Sequence, residues 1–65
     1  MAYRVDSCTD GRNSGRVFTV LPAVGDFVEL NFNFSIQITD RVHRSDGTIV
    51  VGNANYILIL SSLTP

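Results

Sequence analysis

The 65-residue chain carries five arginines, no lysine, five aspartates and one glutamate, for a formal net charge of -1. So even a balance is a poor electrostatic footprint for nonspecific nucleic-acid binding and disfavours a DNA- or RNA-coating role. A chain this short cannot divide its apolar surface between two cores, so residues 1–65 make a single domain, near the size at which a disulfide, a metal or a partner chain usually adds stability.

Val, Ile, Phe, Tyr and Thr are abundant and apolar residues recur at every second position, whereas no window holds a helical stripe over three turns. The first predicted strand, Ala2 to Ser7, sets Tyr3 and Val5 against Arg4 and Asp6. Turn residues follow at Asp10-Gly11 and Asn13-Ser14-Gly15, with Arg12 and Arg16 flanking the glycines of a connecting loop. A second strand is expected over Arg16 to Leu21, stopped by Pro22, which cannot donate to a ladder.

"AVGD" then reads as a corner, with Gly25 allowing the sharp backbone change and the Asp26 carboxylate accepting from the turn's own backbone. Val28, Leu30, Phe32, Phe34, Ile36, Ile38 and Val42 share one parity after it. An unbroken strand through them would run roughly 50 Å, too long for so small a domain unless strongly bent. Asn31-Phe32-Asn33 is the predicted break, giving a hairpin of Phe27 to Leu30 against Phe34 to Arg44.

Asp46-Gly47 is the clearest hairpin signal, and a two-residue loop pairs Ser45 with Thr48, His43 with Val50 and Val42 with Val51. "GNAN" predicts a turn or one turn of 3₁₀ helix before a final strand, Tyr56 to Ser61. The expected fold is all-β: a small barrel, or a strongly bent antiparallel sheet, of five to six short strands. The rhythm "LPAVGDFVEL", a polar turn, then "FSIQITDRVHRSDGTIVV" resembles that of SH3-like small β-barrels, including short bacterial and phage proteins. This resemblance spans about half the chain and implies architecture, without assigning functional residues.

The densest polar cluster is "DRVHRSDG". Arg41, His43 and Arg44, with Asp40 beside them, are the candidate residues for a small ligand or anion, the guanidinium groups offering charge-assisted donors and the imidazole a titrating one. Asp40 falls at an inward parity, so a β-bulge at Thr39 to Arg41, or an ion pair with Arg16 or Arg4, is expected to spare it an unpaired burial. No metal site is assigned, because His43, Asp40 and Asp46 make an incomplete ligand set. No cofactor is implied. The lone Cys8 lacks an adjacent base, so no catalysis is expected and its role is that of a small buried or half-buried apolar residue.

A single cysteine fits a reducing compartment, and no segment has the apolar length of a leader or a membrane span, so the expected location is cytoplasmic and off the membrane. A nucleic-acid-associated barrel is a third reading, set back by the charge and by having only Tyr3 and Tyr56 for base stacking, the phenylalanines being assigned to the core. "YILIL" is apolar on both faces, with Ile57 and Ile59 on one and Tyr56, Leu58 and Leu60 on the other. Something must cover the second face. The main reading is therefore a homo-oligomeric binding or structural module, open also to a protein partner, with Tyr56, Leu58, Leu60 and Val50 at the subunit contact.

Overall fold

The computed structural model describes residues 2–12 and 14–63, so Asn13 of the first predicted turn lies outside the described residues. The protein is all-β. Its seven strands are β1 (Tyr3–Cys8), β2 (Val17–Phe18), β3 (Phe27–Asn31), β4 (Phe34–Gln37), β5 (Asp40–His43), β6 (Ile49–Gly52) and β7 (Ile57–Ser62). A five-stranded antiparallel sheet runs β2-β1-β7-β6-β5, and β3-β4 forms a separate two-stranded sheet. Neither sheet closes into a barrel, since β2 and β5 end the larger one without meeting.

Opposed residues of an antiparallel pair lie on the same face, so the registers sort the side chains. Val5 opposes Leu60, Leu60 opposes Ile49, and Leu58 opposes Val51. These five form the inner face, which packs on Val28, Leu30, Ile36 and Ile38 from the β3-β4 segment. All nine are buried, and Val5, Ile38, Leu58 and Leu60 have no exposed surface.

The turns follow the side-chain chemistry of their residues. At the first corner Asp26 accepts the Ala23 N–H through Oδ2 at 3.0 Å. The break at Asn31-Phe32-Asn33 is a hairpin tip, where Asn31 Oδ1 accepts the Asn33 N–H at 3.0 Å. In the "GNAN" turn one Asn53 Oδ1 accepts from both Asn55 and Tyr56, at 2.8 and 2.9 Å, a side-chain-closed turn in place of a helical one. Gly52 precedes it at φ 149°, and a Cβ there would collide with the Tyr56 carbonyl, so no other residue fits without moving the β6-β7 connection.

Four sequence-based expectations need correction. The second strand is only Val17–Phe18, because its partner β1 begins at Tyr3 and offers nothing beyond the Tyr3-Phe18 pair. The Asp46-Gly47 hairpin is shifted by one residue: Arg44 N–H donates to Thr48 O at 2.9 Å and His43 opposes Ile49. The loop is thus the three residues Ser45-Asp46-Gly47, with Gly47 at φ 92° supplying the left-handed position that closes a three-residue hairpin.

The phenylalanines are not all core. Phe27 and Phe32 are 71% and 87% exposed, the first at an outward parity on β3 and the second at the hairpin tip. Finally, the long alternation breaks a second time at Ile38-Thr39, where the chain changes sheets. Ile38 N–H still donates to Asp26 O beside β3, whereas Thr39 N–H donates to Gly52 O beside β6. The change of sheet resets the parity, so Asp40 and Val42 point outward instead of into the core. No bulge or arginine pairing is needed for Asp40: Arg4 holds Asp6 at 3.1 Å, and Arg16 donates to the Glu29 carbonyl.

Candidate functional site

The polar residues of β5 do not converge. Arg41 opposes Val51 and His43 opposes Ile49, which puts both on the inner side of the sheet at its uncovered edge. Asp40 and Arg44, two positions either side of Val42, lie on the outer side. Arg41 is occupied in part by the Pro22 carbonyl, to which Nη1 donates at 3.4 Å. Asp40 accepts from the Thr39 hydroxyl at 3.3 Å. A single anion cannot be held by Arg41, His43 and Arg44 together in this arrangement. Among the described residues no three His, Cys, Asp or Glu side chains gather as metal ligands.

Cys8 is half-buried against the core, and burial pushes its thiol pKa up, away from the thiolate. Three ladder spacings, about 14 Å, separate its strand from that of His43, so the two do not form a thiol-base pair.

The β7 residues divide. Leu58 and Leu60 have no exposed surface and belong to the chain's own core, which corrects their assignment to a subunit contact. Tyr56 is half-buried, packed on that core and edge-on to Phe34 with ring centroids 5.2 Å apart. Val50 alone of the four lies on the outer face. There it opposes Val42 on one side and Ile59 on the other. The result is an apolar row across three adjacent strands, Val42-Val50-Ile59, with Ile57 next to it on β7. Val42 is 55% and Ile57 44% exposed.

The row has polar flanks. Towards the Asp46-Gly47 hairpin stand Arg44 and Ser61, with Arg4 beyond them opposite Ser61. Towards the "GNAN" turn stand Asp40 and Thr9, the latter tied to Ile57 by its backbone and hydroxyl. Arg4, Asp6 and Ser61 satisfy one another through Asp6 Oδ1, because the register shift between Val5 and Ser7 brings Asp6 over its neighbours. Sequence reasoning missed Val42, since its parity seemed continuous with the core; Ile57 and Ile59 were visible as an apolar face but taken for the covered one.

A second surface lies between β2 and β3. An open cleft of about 490 Å³ is lined by Arg16, Phe18, Val20, Leu21, Phe27 and Glu29 among others. The Arg16 guanidinium stacks on Phe18 at 4.9 Å and donates across the cleft to the Glu29 carbonyl. Among the described residues no helix is long and apolar enough to cross a membrane. No family model matches this chain, and no curated protein or solved structure matches it either.

Proposed function

We propose that this protein is a small self-associating binding or structural module, an opened relative of the SH3-like architecture, without catalysis of its own. The observation that carries the reading is the Val42-Val50-Ile59 row with Ile57, apolar on a sheet face that no strand formed by the described residues covers. An antiparallel sheet with one wet face normally alternates cleanly to polar residues, as β1 does with Arg4 and Ser7. The occupant favoured by the charges is a second copy. A two-fold axis along the apolar row lays Val42 over Val42 of the other copy and brings Asp40 opposite Arg44 on both sides. Both polar flanks are then matched, as an isologous contact requires. A chain near the lower size limit for a stable core also gains stability by mass action on pairing.

Sedimentation or light scattering across a micromolar concentration range tests this. The wild-type chain is expected to be a dimer or higher oligomer, and Val50→Asp a folded monomer. A wild-type chain that stays monomeric throughout overturns the reading. The anion-binding alternative at Arg41, His43 and Arg44 has less support, since these side chains divide between two faces.

A further inference from the structure

We infer that the cleft between β2 and β3 is an open seam that accepts an extended peptide as an added strand, of alternating apolar and polar residues with a basic side chain facing Glu29. In an antiparallel ladder, residues alternately turn their N–H and C=O toward the partner strand and away from it. Ile38 N–H donates to Asp26 O, so Asp26 and Val28 face β4, and Phe27 and Glu29 direct their backbone groups away from it into the cleft. On the other wall, Val5 N–H donates to Arg16 O, so the backbones of Arg16 and Phe18 face β1, and it is their side chains that line the cleft opposite the edge of β3. No backbone hydrogen bond joins β2 to β3 among the described residues.

The Arg16 side chain does bond across the cleft, and its acceptor is the Glu29 carbonyl. That is an edge carbonyl an added strand would use, already drawing a donor. Side chains of the added strand would alternate as well. Those pointing inward would rest on Phe18, Leu21 and Val28, which calls for apolar residues. Those pointing outward would pass Phe27, 71% exposed, and the Glu29 carboxylate, which has no ion-pair or hydrogen-bond partner among the described residues. With Asp26 also on the rim, two carboxylates stand against the one guanidinium of Arg16, which is already engaged with the Glu29 carbonyl and Phe18, so a cationic side chain is favoured over an anionic one.

The probes are peptides of roughly eight residues, about a strand's length, alternating valine and threonine with lysine or glutamate at the centre. A further lysine peptide is N-methylated at alternate positions to remove the donors of one edge. Binding is read by amide chemical shifts and hydrogen exchange. The lysine peptide is expected to bind about five-fold or more tighter than the glutamate peptide and to protect the amides of Phe27 and Glu29. N-methylation should abolish binding, and Glu29→Gln should erase the preference for lysine. Failure of every peptide to bind at about millimolar concentration overturns the inference, as does binding indifferent to N-methylation. Protection of Arg41 and His43, whose backbone groups face the free edge of β5, also overturns it.

Discussion

Strand β7 carries the same kind of side chain on both faces, and the two faces meet different fates. Leu58 and Leu60 are fully buried beneath the β3-β4 sheet, whereas Ile57 is 44% exposed and Ile59 half-buried on a side that no other strand of the described residues covers. Hydrophobicity does not separate the two sets. What separates them is the presence of a second layer, which the described residues supply on one side only. The same sheet shows what a wet face looks like: along β1 the outward positions carry Arg4, Asp6 and Ser7. Across β5, β6 and β7 the outward positions turn apolar at Val42, Val50, Ile57 and Ile59, which supports the proposed contact between copies.

Truncation on the two faces should therefore give two different phenotypes. Leu58→Ala removes a side chain with no exposed surface and is expected to cost about 2–5 kcal/mol. In so small a domain that leaves little or no folded protein, read as loss of the cooperative thermal transition. Ile59→Ala is expected to cost the isolated subunit about 1 kcal/mol or less, since its site is already half open. Its effect should fall on association: the wild-type melting temperature should rise with protein concentration, and this dependence should vanish in the variant. Equal losses of stability with unchanged concentration dependence would mean that the outer face is merely exposed core.

The strand content and the corners were readable from the residues because each rests on local chemistry: Asp26, Asn31 and Asn53 all close their turns with their own side-chain oxygens. What was not readable is parity across a change of sheet. Ile36, Ile38, Asp40 and Val42 are evenly spaced, and nothing in Thr39 announces that its N–H leaves one sheet for another. The Asp46-Gly47 pair suits both a two-residue and a three-residue loop, so the one-residue shift of register was undetermined too. Both ambiguities fall on β5, and together they decided which of its residues reach the outer face. On β7 the choice between Leu58 with Leu60 and Ile57 with Ile59 was settled by pairing with Val5 and Val51, which are distant in sequence.

The flanks of the apolar row allow a finer cut. In the two-fold arrangement Asp40→Arg replaces two Asp40-Arg44 pairs with two repulsive ones, and it should weaken dimerisation about three- to ten-fold, the scale of exposed ion pairs. Arg44→Asp should do the same. The double exchange, Asp40→Arg with Arg44→Asp, should return the dimer to within about two-fold of wild type, with the single-variant defects shrinking at high salt. Restoration is specific to this alignment, because no other packing of the two faces needs these two positions to be opposite in sign. A double variant as weak as the singles would leave the apolar row in place and reject the two-fold axis drawn through it.

The smallest effect belongs to the hairpin that carries Arg44. The Thr48 hydroxyl donates to Asp46 Oδ1 at 2.6 Å and the Thr48 N–H at 3.0 Å, and these bonds, the hydroxyl first, hold the Asp46 pKa below the usual carboxylate range. A folded-state pKa below the unfolded value gives stability that is present above the unfolded pKa, about 3.9, and is lost as the pH falls through the folded one. Asp46→Asn keeps an acceptor for Thr48 but has no proton to bind. The stability advantage of wild type over Asp46→Asn should therefore shrink as the pH drops from about 5 to about 2, since the other carboxylates are common to both and cancel. Melting curves belong in the Val50→Asp background, where protonation of Asp40 cannot act through a subunit contact. Parallel curves down to the acid limit would show that closure of the hairpin does not depend on the charge of Asp46, leaving Gly47 and the Arg44-Thr48 backbone bond to fix the register on their own.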